Sequence, residues 1–180
     1  MPPPLAQLDP ARPPWRWLLR FPGLLYRAKL GWLLGERFVQ LTVRGRRTGL
    51  PRAVVLEVMG RDAPTGGLLV ASAWGERAQW LRNLRAHPRA EVRTGGRRFA
   101  AEVAILGERA AEEALRAYAQ RHRRAYRWFI GPLLLGRRPE ETPGEFRALV
   151  RTVPILLVRP AAAAAAGAPH AAPGGGGTGR

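Results

Sequence analysis

The chain has 180 residues, 30 Lys and Arg against 13 Asp and Glu, a formal net charge of +17 and no cysteine. That length suits one domain with tails rather than two independent domains, and the absence of cysteine excludes disulfides, thiol nucleophiles and thiolate metal sites. The excess charge sits almost wholly on arginine and favours anionic partners, a requirement that nucleic acid, an acidic lipid surface or a multiply charged cofactor would each satisfy.

Residues 1–14 are proline-rich and expected to be disordered or extended. Residues 15–37 interleave apolar positions with Arg16, Arg20, Arg27 and Lys29 and read as a basic amphipathic helical segment interrupted at Pro22-Gly23. Those charges leave no run near the ~20 apolar residues of a spanning helix, and no signal-peptide cleavage pattern is present. Such a segment either packs on its own domain, the commoner fate, or lies on anionic lipid with Trp15, Trp17 and Trp32 at the interface.

Phe38 to Val43 (FVQLTV) and Arg52 to Met59 (RAVVLEVM) read as strands, rich in β-branched residues. Between them RGRRTGLPR, Arg44 to Arg52, sets four arginines around two glycines and a proline. Gly45 and Gly49 are free to take positive φ, so the turn can offer backbone N–H groups to a phosphate or carboxylate while Arg46, Arg47 and Arg52 add forked, permanently charged donors. The same composition also describes a solvated basic hairpin turn.

A polar loop, RDAPTGG, leads to a third strand at Leu68 to Ala73, and Glu76 to Ala86 reads as a short helix with Trp80, Leu81 and Leu84 on one face, stopped by Pro88. AEVRTGGRRFAAEVAIL is a hairpin with its turn at Thr94-Gly95-Gly96. Glu108 to Phe129 is a longer helix, and Val153 to Val158 a final strand whose Pro154 points to an edge or a bulge at its start. The tail, residues 161–180, is an Ala/Gly-rich low-complexity segment expected to be disordered. About six strands, with helices only after the third and fifth, indicate an α+β protein that is mainly β: an antiparallel barrel with flanking helices, not a doubly wound parallel sheet.

Reactive side chains are scarce. His87, His122 and His170 have no spacing suited to a metal or a catalytic dyad, and neither Asp9 nor Asp62 stands beside a glutamate. No metal site is expected, and an enzyme built on this chain must borrow its reactive group.

With these pieces in order, Phe38 to about Pro160 resembles the deazaflavin (F420)-dependent nitroreductase family, split-barrel oxidoreductases of FMN-binding-like fold. Its pattern L-T-x-x-G-R-x-S/T-G-x-P-R is met as LTVRGRRTGLPR, a strand ending in V-A-S as Val70-Ala71-Ser72, and W-x-x-N-L-x-x-x-P as WLRNLRAHP. The resemblance implies a reductase domain over residues 38–160 and coenzyme F420 as cofactor, with FMN the alternative of the same fold. By motif position Arg46, Arg47, Thr48, Gly49, Pro51 and Arg52 would hold the phosphodiester and polyglutamate end. Ser72, Ala73 and Gly75 would line the deazaflavin ring, and Trp80 and Asn83 would close the site. Many members carry lysine after that serine, where this chain has Ala73-Trp74.

A deazaflavin carries the hydride itself, so no cysteine or histidine is needed. The acceptor implied is a planar, electron-poor small molecule: a quinone, a nitroaromatic or an activated alkene. Tyr126, with Tyr118 second, is the candidate proton donor, and Trp74, Tyr126 and Phe129 the candidate substrate pocket. Two further readings rest on the charge: a nucleic-acid or anionic-surface module, disfavoured for nucleic acid because no recognition motif appears, and a reductase held at the inner face of a membrane through residues 15–37. A cytoplasmic location and a homodimer are compatible with all of these.

Overall fold

The computed structural model describes residues 35–161, with the side chains of Phe129 and Leu133 outside the description. The expectations for residues 1–14, for the amphipathic segment up to residue 34 and for the tail beyond Ala161 lie outside the described residues.

Six strands form one closed antiparallel barrel: β1 (Phe38–Arg44), β2 (Pro51–Arg61), β3 (Leu68–Ala71), β4 (Arg89–Thr94), β5 (Arg97–Ile105) and β6 (Ile155–Pro160), ordered β1-β2-β3-β6-β5-β4 and closed by β4 against β1. The pattern of the sequence explains the closure. Val39, Leu41 and Val43 alternate inward on β1, as do Leu68 and Val70 on β3, Val92 on β4, Ala101 and Val103 on β5, and Leu156 and Val158 on β6, making one core. Closure leaves no strand edge unpaired.

The helices are α1 (Gln79–Ala86), α2 (Glu108–Arg121), α3 (Gly131–Leu135) and α4 (Pro143–Thr152). Helix α1 covers part of the barrel core with Ala78, Leu81 and Leu84. Leu81 is fully buried, and truncating such a leucine to alanine removes about 2–5 kcal/mol. Helices α2 and α4 pack on the outer face of the barrel over Met59, Leu69, Ile155 and Leu157, forming a second core with Tyr126 and Phe146. Strand β6 is thereby buried on both faces, which is why it reads ILLV without alternation.

Several boundaries differ from the sequence reading. Strand β3 ends at Ala71, so Ser72 and Ala73 lie in the following loop, and a 3-10 turn, Gly75–Arg77, precedes α1. The long helix breaks at His122 and continues through a short turn, Arg123–Ala125, and a π turn, Tyr126–Ile130, into α3. Pro154 precedes β6 and marks neither edge nor bulge, because β6 pairs with β3 on one side and β5 on the other. The bulge sits instead in β2, between Val58 and Gly60. Helix α4 was not expected, yet its signal is present: Thr142 caps Glu145 N–H at 3.2 Å, Pro143 follows at the first helical position, and the Glu145 carboxylate accepts from Glu140 N–H at 3.1 Å.

Candidate functional site

The RGRRTGLPR turn joins β1 to β2 where Arg44 pairs with Pro51 and Val43 with Arg52. It folds on itself: Gly45 N–H donates to Leu50 C=O at 2.9 Å and Gly49 N–H to Gly45 C=O at 2.7 Å. Only Gly49 takes positive φ, at 69°. Gly45 is required for a different reason, since a Cβ there would lie 3.0 Å from Leu50 O and 3.2 Å from Thr48 Oγ1.

A latch ties this turn to α1. Asn83 Oδ1, buried, accepts both Arg46 N–H at 3.2 Å and the Arg46 guanidinium at 3.0 Å, while Gln79 Oε1 accepts from the other end of the guanidinium at 3.0 Å. Gln79 and Asn83 are one helical turn apart and therefore face the same way. The N–H groups of Gly45, Arg46 and Gly49 are thus engaged within the protein, and Leu50 N–H reaches Thr48 Oγ1 at 3.4 Å. Most of the turn's backbone donors are therefore committed within the protein. Anion attraction rests chiefly on the side chains.

Those side chains border a groove of about 530 Å³ lined by Gly45, Arg46, Arg47, Thr48, Arg52, Ala53, Val54, Gln79, Trp80 and Asn83. Three arginines line it with no carboxylate among them, and Ala53, Val54 and Trp80 make an apolar wall. A wider depression of about 930 Å³ crosses β1, β4 and β5, but there Arg44, Arg89 and Arg98 are interspersed with Glu91 and Glu102, and Arg98 is bound to Glu91 at 2.5 Å. The smaller groove therefore has the more one-signed lining.

The structure brings Arg46, Arg47, Thr48, Arg52, Trp80 and Asn83 into this groove; Gly49 and Pro51 shape the turn without lining it. Ser72 is buried, donates its hydroxyl to Gly75 C=O at 3.0 Å and receives no groove contact. Gly75 is buried at φ 57°, and a Cβ would come within 2.5 Å of Thr152 O, so it serves the close approach of the β3–α1 loop to the end of α4. Ala73 is half-buried in the same loop. Trp74 packs on the barrel core and does not line the groove.

Tyr126 lies apart from the groove. It is fully buried in the outer core, stacked on Phe146 with ring centroids 5.9 Å apart, and its hydroxyl has no hydrogen-bond partner. Burial, with Glu145 and Glu141 nearby, raises its pKa. A hydroxyl sealed there reaches neither solvent nor the groove. Tyr118 is buried in the same core, and desolvation, with the Glu57 carboxylate next, pushes it up to about 12. Gln79 is the residue that sequence reasoning missed, although its place one turn before Asn83 in QWLRN carried the signal.

Among the described residues no group of His, Asp and Glu could hold a metal ion, and no helix is long and apolar enough to cross a membrane. A closed six-stranded antiparallel barrel with helices on its outer face is a split barrel, and this one carries a basic groove at one turn. Residues 23–129 match the family model described as F420H2-dependent quinone reductase, and the chain belongs to that family of oxidoreductases, whose cofactor is coenzyme F420.

Similar solved structures include an F420-H2 dependent reductase, 17% identical, spanning 69% of this chain and 96% of that one with a TM-score of 0.48. A pyridoxamine 5'-phosphate oxidase-related, FMN-binding protein from Nostoc punctiforme is 20% identical over 84% of this chain and 83% of its own, TM-score 0.49. A NimC/NimA family protein from Clostridium acetobutylicum is 14% identical over 78% and 82%, TM-score 0.43. No curated protein matches the chain.

Proposed function

We propose that this protein is a reductase that holds F420 with its phosphodiester and polyglutamate end in the groove between the RGRRTGLPR turn and α1. The observation that carries this reading is the lining: Arg46, Arg47 and Arg52 border one groove with no carboxylate beside them. A polyanion fits such a site, and it fits the more readily because the site's own charges are unneutralised.

Within it, Arg47 and Arg52 are exposed and serve as direct ligands, while Thr48 adds a hydroxyl. Arg46 contributes charge but is oriented by Asn83 and Gln79, so the turn and α1 act as one preformed surface. Preorganisation lowers the ordering entropy lost on binding. Ala53, Val54 and Trp80 offer the apolar wall against which a planar ring would be shielded from water. Bound reduced F420 supplies a hydride. The chain's part is to bind and orient, and with Tyr126 sealed in the core the acceptor's proton is drawn from water. A planar quinone is the acceptor class we favour, ahead of nitroaromatics and activated alkenes, and residues 38–160 are the unit that performs the reaction.

Titration with F420 and with FMN, followed by fluorescence, tests the assignment. Micromolar or tighter F420 binding that weakens in Arg47→Ala and Arg52→Ala is expected. FMN binding in preference to F420 would move the site to the flavin branch of the fold.

A further inference from the structure

Eleven of the 24 described arginines are matched to a carboxylate, Arg137 with Glu140 and Glu145 among them. Arg37 meets Glu57, Arg61 and Arg97 share Glu36, Arg85 meets Glu76, Arg93 and Arg98 share Glu91, and the helical arginines Arg109, Arg116, Arg147 and Arg151 meet Glu113, Glu112 and Glu108. Arginines with no carboxylate partner among the described residues include scattered ones, Arg82, Arg89 and Arg159, and two clusters. One is the cofactor turn. The other is the helical arm after α2, where Arg123, Arg124, Arg127 and Arg138 all stand exposed.

The same arm carries Trp128, 54% exposed, one of the few large apolar side chains that the described surface leaves open. A large exposed aromatic amid unneutralised charge calls for an explanation, whereas a singly exposed leucine does not. Its placement follows from the backbone. Tyr126, two residues earlier, turns fully inward, and the π turn Tyr126–Ile130 sets Trp128 on the outer side, one turn after Arg124. Gly136, left-handed at φ 73°, ends α3 and reverses the chain, which brings the Arg138 guanidinium 4.2 Å from the Trp128 ring centroid. Half-buried Pro132, one turn beyond, extends the apolar part of this face. From Arg121 to Arg138 the sequence holds six arginines and no acidic residue.

We infer that this arm, Arg123 to Arg138, is a docking face for an anionic lipid surface, with Trp128 seated at the level of the headgroups and Arg123, Arg124, Arg127 and Arg138 around it. Charge complementarity selects an anionic occupant, and the tryptophan selects an interface with an apolar side, the setting in which an indole is half wet and half dry. A nucleic-acid partner fits less well, because the face offers one aromatic on a helical turn rather than a row of stacking platforms. The inference is independent of the cofactor groove and of residues 15–37.

The test is flotation of the full chain with vesicles of phosphatidylcholine containing about one third phosphatidylserine, beside vesicles of phosphatidylcholine alone. Each arginine close to an anionic bilayer is worth roughly fivefold in partitioning, so Arg123→Gln, Arg124→Gln and Arg127→Gln together are expected to lower binding on the order of a hundredfold. Trp128→Ala is expected to lower it further. A control variant with Arg82→Gln, Arg89→Gln and Arg159→Gln removes equal charge from unpaired arginines elsewhere and is expected to retain most of the binding. Unchanged circular dichroism and Tm in the arm variants verify their fold. Wild-type protein that ignores anionic vesicles overturns the inference, as does a control variant that loses as much as the arm variant. Equal arm-dependent loss with a duplex oligonucleotide, and tighter wild-type binding to it at the same salt, would assign the face to nucleic acid instead.

Discussion

Substituting Asn83 with alanine removes one acceptor that serves two donors, the backbone N–H and the guanidinium of Arg46 at 3.2 and 3.0 Å. Asn83 is buried at 5% exposure, so water cannot replace the lost oxygen on the helix side. The neutral bond is worth about 1 kcal/mol and the bond to the charged guanidinium about 1.5–3 kcal/mol; partial rehydration of Arg46, which is half-buried, reduces the sum to about 2–3 kcal/mol. Gln79 is exposed, and the same substitution there removes under ~1 kcal/mol. Urea unfolding should therefore separate the two variants by at least ~1 kcal/mol, with Asn83→Ala the weaker protein. Because Arg46 would lose its anchor, F420 affinity should fall in Asn83→Ala, while turnover at saturating cofactor changes little. Wild-type stability together with wild-type affinity in Asn83→Ala would refute the latch.

Arg47→Ala and Arg52→Ala should each weaken F420 binding roughly 10- to 100-fold, as expected for one charge-assisted contact, and leave the saturated rate within a few-fold; a collapse of the saturated rate would contradict a positioning role. Tyr126→Phe deletes a hydroxyl without a partner and should leave stability equal or higher by up to ~1 kcal/mol, with activity intact; calorimetry and a quinone assay check both. Gly75→Ala combines positive φ with a Cβ 2.5 Å from Thr152 O and should destabilise by about 3 kcal/mol or more, seen as a lowered Tm. Tyr118 has a folded pKa of about 12 against an ordinary value of 10.0. The folded state therefore holds this proton more tightly, so its contribution is complete below pH 10 and is lost as pH rises from about 10 to 12, by on the order of 2 kcal/mol. Chemical denaturation across that window should show the loss in wild type and a smaller one in Tyr118→Phe.

Much of the barrel is written in local pattern. Alternating Val39, Leu41 and Val43 mark an inward face, and the Thr94-Gly95-Gly96 turn fixes a hairpin, because period-two burial and turn chemistry are local properties. The motif RGRRTGLPR is likewise local, and it located the basic groove before any contact was known. Helix α4 escaped although its Thr142 cap lay in plain view, since a capping signal without a long apolar stripe is easily read as loop. The break at His122 and the π turn escaped for a better reason: helical propensity continues through Tyr126 to Ile130, and only packing against Phe146 decides where the axis bends.

The sequence by itself thus determined the barrel class, the basic character of the β1–β2 turn and the lack of cysteine, all of which depend on residue type and spacing along the chain. Tertiary structure alone decided which polar atoms are free to act. It locked Arg46 onto Asn83 and Gln79, closed Ser72 onto Gly75, and sealed the Tyr126 hydroxyl in the outer core. The Arg46 bonds join residues 37 and 33 positions apart, a pairing that no local pattern encodes.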